Sequence, residues 1–304
     1  MSARRIFARP ARFSAIAPYV WMVLFFLVPF GFVAKISLSQ TAIAQPPYEP
    51  VFDLTAGWAA IRAALAALSI DNFKLLVFDD LYVFAYVRSL YVAISATAIL
   101  LLIGYPIAYG MARLPKRWQA VAMVLVIVPF WTSFLIRIYA WINILQHDGL
   151  LNQILLGLHL VDKPVVWLST DSAMYLGIVY SYLPFMILPL YATLSKMEPV
   201  LEEAAADLGA SPLAVFWLVT FPLSLPGVGA GVLLCFIPIV GEFVIPDLLA
   251  GSDSLMIGQT LWLEFFTNKD WPVASAVAVV LLVVLLLPLL VYDRLQRRQL
   301  EEAS

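Results

Sequence analysis

Six stretches of the chain stay apolar long enough to cross about 30 Å of hydrocarbon: roughly 16–37, 84–112, 119–142, 173–194, 225–249 and 272–292. Backbone groups inside lipid must satisfy one another, so each stretch is expected to be a helix. The polar flanks orient them. Arg4, Arg5, Arg9 and Arg12 precede the first stretch, Arg113, Lys116 and Arg117 separate the second from the third, and Arg294, Arg297 and Arg298 follow the sixth. Positive charge gathers on the cytoplasmic side, so both termini are expected there. The opposite loops carry only scattered cations, Arg62, Lys74, Lys163 and Lys269. The first stretch, followed by Ala42-Ile43-Ala44, has the outline of a secretory signal, but it is longer than the 7 to 15 residues typical of one and is expected to remain as a helix. An apolar, helix-prone segment from Trp58 to Leu68 is too short to span and carries Arg62; it predicts a helix within a long outer loop near 38–83.

Composition agrees with this pattern. Of 304 residues, 63% are hydrophobic and 12% charged, with a mean hydropathy of +0.93; soluble domains carry about 25% charged residues. The chain reads as an all-α integral membrane protein in one domain over 1–304, since the longest stretch between spans falls short of the roughly 50 residues a minimal soluble domain needs. The net charge of −2 adds little. The single cysteine, Cys235, sits in an apolar run, which excludes a disulfide within the chain. No glycine precedes any lysine, so a phosphate-cradling loop is absent. His147 and His159 fall in one outer loop with no metal or nucleophile partner in the sequence. Neither nucleic-acid binding nor catalysis is suggested.

The loop at about 195–224 must be cytoplasmic by counting spans, and it is unusually rich in signals. Pro199 suits a first helical turn, and Leu201, Ala204, Ala205 and Leu208 recur at helical spacing opposite Glu202, Glu203 and Asp207. Gly209 is expected to end this helix in a left-handed cap. Ser211 and Pro212 form an N-cap and first-turn pair for a second helix carrying Leu213, Phe216 and Trp217, which Pro222 is expected to stop.

The run Glu203-Ala204-Ala205, then Gly209, then Val219-Thr220-Phe221-Pro222 resembles the EAA loop of ATP-binding-cassette importer permeases. Val219 and Phe221 stand where the family has Ile and Leu. The passages "DNFKLLVFDDLYVFAYVRSL", "PFWTSFLIRIYAWINIL", "YLPFMILPLYATL", "GEFVIPDLLAG", "SLMIG" and "NKDWPVASAVAV" are together similar to the polyamine importer permeases, most of all to the first of the two putrescine permease subunits. The resemblance implies a type I importer fold of six transmembrane helices in a bacterial inner membrane. It implies a second permease subunit completing a heterodimer, two ATPase subunits that bind the ATP and Mg²⁺, and a periplasmic polyamine-binding protein. It also implies that Glu203, Ala204, Ala205, Gly209 and Pro222 belong to the segment that docks on the ATPase.

A polyamine needs carboxylates for its ammonium ends and aromatic faces for charge and stem together. Glu242, in "IPIVGEFVIP", is the carboxylate placed clearly inside a span, where Pro238, Gly241 and Pro246 loosen the helix. It stands either as a substrate contact or as a partner of backbone groups freed at the kink. Asp247 is a weaker candidate nearer the interface. Trp131, Phe134, Tyr139 and Trp141 serve either as an interfacial belt or as cation contacts. Arg137, among them, is expected to pair with an acid or snorkel outward, since it would repel a cation. The alternatives are the same machinery carrying another small solute, or a stand-alone ion-coupled carrier. The second would call for several intramembrane ionisable residues or an inverted repeat, and neither is evident.

Overall fold

In the computed structural model the described residues are 10–51, 57–251 and 254–302. Arg4, Arg5 and Arg9 lie outside them, as do the side chains of Arg12, Arg297 and Arg298. In chain order, α1 (Pro10–Met22) passes through a π-turn at Val23–Leu27 into α2 (Val28–Ser37). A two-residue antiparallel pair, β1 (Gln40–Thr41) with β2 (Tyr48–Glu49), and two short helices, α3 (Gly57–Ala66) and α4 (Asp71–Phe78), lie between α2 and the next long helix. The long α5 (Asp80–Arg113) and α6 (Lys116–Ile127) follow; a 3₁₀ turn at Val128–Trp131 leads to α7 (Phe134–Leu145) and α8 (Leu150–Gly157). Then come α9 (Asp171–Leu194), α10 (Pro199–Asp207), α11 (Pro212–Val215), a π-turn at Phe216–Thr220 and α12 (Phe221–Val240). The chain closes with α13 (Val244–Leu249), α14 (Ile257–Trp262), a π-turn at Leu263–Thr267 and α15 (Trp271–Glu302).

Among the described residues, five helical stretches are long and apolar enough to cross a membrane: Ile16–Ser37, Asp80–Arg113, Asp171–Leu194, Pro212–Val240 and Trp271–Arg294. The bent pair Lys116–Trp131 and Phe134–Gly157, whose halves meet at 88°, makes a sixth when counted as one broken span. Two expectations are corrected here. The apolar run 119–142 is one stretch in sequence but two helices in space, because Pro129 tightens the chain into a 3₁₀ turn and Thr132 and Ser133 are extended. The fifth span runs Pro212–Val240 instead of 225–249, and Glu242 therefore lies beyond its end.

The chain forms two compact units. One comprises Met1–Val83 with Leu261–Val283. Within it, Asn72 Nδ2 donates to the carbonyls of Ser37 (2.8 Å) and Ser39 (2.7 Å), fastening α4 to the end of α2. Thr41 donates to Asp270 at 2.7 Å and Tyr82 to Glu264 at 2.9 Å, and the rings of Phe265 and Trp271 stack at 5.2 Å. None of the first span's most apolar 18-residue window is buried.

The other unit comprises Phe84–Thr260 with Val284–Ser304. Its axis is α9, against which α12, α13, α6 and α7 pack. Met174, Ile178, Met186 and Leu190 on α9 are fully buried, as are Cys235 and Ile239 on α12. The two helices approach closely at Gly227, where a Cβ would fall 2.6 Å from the Thr193 hydroxyl. The loop after α7 is organised by Asn152, which is fully buried. Its Nδ2 donates to the carbonyls of His147 (3.0 Å) and Val165 (2.9 Å), while its Oδ1 accepts from Val165 N (3.0 Å) and Trp167 Nε1 (3.1 Å).

Candidate functional sites

The loop between α9 and α12 carries the first site. α10 opens on Pro199, whose missing N–H costs nothing in a first turn. It closes in a Schellman motif: Gly209 N donates to Ala206 O at 2.9 Å and Ala210 N to Ala205 O at 3.1 Å, with Gly209 at φ +88°. Ser211 Oγ then accepts from Ala214 N at 3.3 Å and starts α11. The chain does not stop at Pro222. The π-turn before it, with Phe221 N donating to Phe216 O, widens the helix where the proline offers no N–H, so α11 and α12 form one rod.

α10 presents Leu201, Glu203, Ala204, Asp207 and Leu208 outward, Leu208 at 90% exposure, and keeps Ala205 half-buried. Glu202 departs from the expected outward set. Its carboxylate faces inward, pairs with Arg113 at the end of α5, and accepts from Thr220 Oγ1 at 2.7 Å. Arg113 in turn lies 4.9 Å from the Tyr109 ring. Glu202 thus fixes α10 against two spans, and the face left free combines small apolar and acidic residues.

The second site lies where the fifth span ends, near the bend in the third. α12 ends at Val240, Gly241 to Phe243 leave the helix, and α13 resumes at Val244. Glu242, 8% exposed, occupies this gap. Its Oε1 accepts from the N–H groups of Val244 (3.1 Å) and Ile245 (3.3 Å), satisfying donors that a helix start leaves unpaired. Tyr182, on α9, donates its hydroxyl to Oε2. Among the described residues no cation pairs with this carboxylate. α13 packs on both α9 and α7, so the helix after the fifth span lies beside the half-helix that follows the break in the third.

Aromatic rings connect the end of the fifth span with the bend in the third. Phe130, in the 3₁₀ turn, meets Phe185 of α9 edge to face at 5.3 Å, and Phe185 lies 6.1 Å from Tyr182. At the other end the Arg137 guanidinium sits 4.7 Å from the Phe130 ring and 5.7 Å from that of Phe134. Arg137 neither pairs with an acid nor reaches solvent with its whole head group: Nε and Nη1 are buried without an acceptor among the described residues. Trp131 (80% exposed) and Tyr139 (53% exposed) make no ring contact with this run among the described residues, and Trp141 packs edge-on against Tyr180. Asp247 is exposed and accepts from Gln259 Nε2 at 3.3 Å. Of the aromatic candidates taken from the sequence, Phe134 alone joins the run; Phe130, Tyr182 and Phe185 were missed, and only their apolar context marked them.

A family model described as "binding-protein-dependent transport system inner membrane component" matches residues 101–301, and the chain belongs to that family. It is a multi-pass inner-membrane transport component. Over 229 residues it is 42% identical to the spermidine/putrescine transport system permease protein PotB of Escherichia coli (strain K12), covering 75% of this chain and 83% of that protein. The PotB of Haemophilus influenzae is 40% identical over 227 residues, covering 75% and 79% respectively. Among solved structures, a bacterial alginate ABC transporter in complex with a pentasaccharide-bound periplasmic protein superposes with a TM-score of 0.68 at 16% identity, over 95% of this chain and 94% of that one. The MetNI methionine ABC transporter in an inward-facing conformation gives 0.53 at 18% identity, over 72% and 95%. The fold is that of ABC importer permeases.

Proposed function

We propose that this chain is the permease subunit of a polyamine importer, forming half of the translocation path and drawing its energy from a separate ATPase. The observation carrying the reading is the 42% identity to a spermidine/putrescine permease across 229 residues. In this reading two ATPase subunits hold the ATP and Mg²⁺, and one seats against α10 through Glu203, Ala204 and Ala205, with Gly209 setting the direction of the rod that follows and Pro222 lying within it. A periplasmic polyamine-binding protein delivers the substrate, and both termini are cytoplasmic. The first span supports a second permease subunit, since its most apolar stretch has no buried residue and offers lipid-facing surface to a neighbour.

The path candidates are Glu242, Asp247, Trp131, Phe134 and Tyr139. Glu242 is the strongest, as a buried charge without a cation beside a helix break, the setting in which membrane carboxylates meet cations. The test is uptake of radiolabelled putrescine and spermidine by vesicles containing both permeases, the ATPase and the binding protein. ATP-dependent accumulation of either amine, suppressed when this subunit is omitted, is expected. Accumulation of a neutral or anionic solute in its place would overturn the substrate assignment and keep the importer.

A further inference from the structure

The placement of Arg137 is the least expected feature of the second unit. A guanidinium has five donors in a fixed fork and ordinarily finds carboxylate or carbonyl oxygens. In a span the cost of leaving donors unpaired is higher still. Yet Nε and Nη1 of Arg137 are buried with no acceptor among the described residues, and what the charge meets is the ring of Phe130 at 4.7 Å, with that of Phe134 at 5.7 Å. Contact with an aromatic face is how proteins hold organic cations when no oxygen is supplied. At the far end of the same run of rings the opposite imbalance holds: the Glu242 carboxyl accepts from two N–H groups and the Tyr182 hydroxyl, and among the described residues no cation is paired to it. Between them Phe185 is 39% exposed.

We propose that the ring face of Phe130 is an organic-cation subsite on the translocation path, occupied at rest by the Arg137 guanidinium as a tethered stand-in that an ammonium group of the substrate displaces. The inference rests on the polyamine reading above. A molecule with two ammonium groups on a methylene chain matches the arrangement of an aromatic cation face, an exposed ring for the stem, and a carboxylate at the other end. Arg137 then acts as an internal competitor, keeping the subsite filled between substrates and setting how strongly a cation must bind to enter.

The experiment uses the assembled importer in lipid nanodiscs, without the binding protein, and measures equilibrium binding of radiolabelled spermidine. Removing the competitor in Arg137→Met should tighten binding by on the order of tenfold, the worth of a partly desolvated cation–ring contact. Arg137→Lys, which keeps a cation, should bind as weakly as wild type. The gain in Arg137→Met should vanish when Phe130→Leu is added. A merely structural arginine would predict weaker binding, so an unchanged or lower affinity in assembled Arg137→Met overturns the proposal, as does a gain that survives Phe130→Leu. If Arg137→Met does not assemble, Phe130→Leu alone decides by vesicle uptake: a loss of about tenfold supports the subsite, and wild-type uptake overturns it. If wild type accumulates no polyamine in those vesicles, the substrate reading itself has failed and this inference with it.

Discussion

Gly209 offers a graded test of the proposed coupling segment. It sits at φ +88°, and a Cβ built there meets nothing within 4 Å, so the cost of replacing it is conformational and not steric. The left-handed conformation costs an ordinary L-residue roughly 1–2 kcal/mol, more for a β-branched one and less for asparagine. The Schellman closure from Gly209 and Ala210 to the last turn of α10 depends on that conformation. Gly209→Asn should therefore be nearly silent, Gly209→Ala should lose part of the function, and Gly209→Val should lose most of it, since the residue would leave the left-handed region and re-aim α11. The assay is copurification of the ATPase with the membrane-inserted subunit, together with uptake in vesicles. The spans themselves should insert normally in all three, because the affected residues lie between them. Wild-type ATPase association in Gly209→Val would refute the role of the turn. Equal loss in Gly209→Asn and Gly209→Val would refute the conformational argument.

Glu242→Gln keeps an oxygen for the Val244 and Ile245 N–H groups while removing the charge, and a lost charge-assisted contact is worth roughly 1.5–3 kcal/mol; uptake should fall about tenfold to a hundredfold with assembly retained, and unchanged uptake would confine the carboxylate to starting α13. Glu242→Ala leaves two backbone donors and the Tyr182 hydroxyl unpaired, and should also reduce assembly, read by size-exclusion recovery of the complex. Asn152→Ala orphans Val165 N and Trp167 Nε1, a loss of about 2–4 kcal/mol at roughly 1–2 per donor; the thermal midpoint of the detergent-solubilised complex should drop, and an unchanged midpoint would show that the loop is held by other contacts. Tags at either end should be accessible only from the cytoplasmic face, and labelling of an intact-cell terminus from outside would reverse the orientation.

Much of the loop between α9 and α12 was legible because its signals are local. Pro199, Gly209, Ser211 and Pro212 each act on their own turn, and each does in the structure what its chemistry implies. Glu202 was not legible. Its partner Arg113 lies 89 residues away in sequence, and a helical wheel of α10 places Glu202 with Glu203 and Asp207. Pro222 misled for a related reason: proline stops a regular helix, whereas a π-turn immediately upstream lets the chain continue. Hydropathy found the first, second, fourth and sixth spans to within about four residues at each end, and placed the start of the fifth, Pro212, too late, at 225. It gave no warning at Thr132 and Ser133, two small polar residues that interrupt neither the apolar run nor its length, and it carried the fifth span past Gly241. The aromatic run was invisible because Phe130 meets Phe185 of α9 only through tertiary packing, although Tyr182 and Phe185 are one turn apart on that helix, and ring contacts leave no periodicity in a sequence.

The fusion of α11 with the fifth span turns a loop element into a lever. Pro212–Val240 is 29 residues of unbroken helix, about 43 Å long at 1.5 Å per residue. Its near end is tied to α10 through Thr220 and Glu202, and its far end stops at Gly241, beside the carboxylate that Tyr182 holds. A tilt of 5° about the near end would carry the far end through about 4 Å, more than the length of a hydrogen bond. Any partner that rocks α10 on one side of the membrane thereby has mechanical purchase on the Glu242 gap at the other end of the rod, with no need for a chain of separate side-chain movements in between.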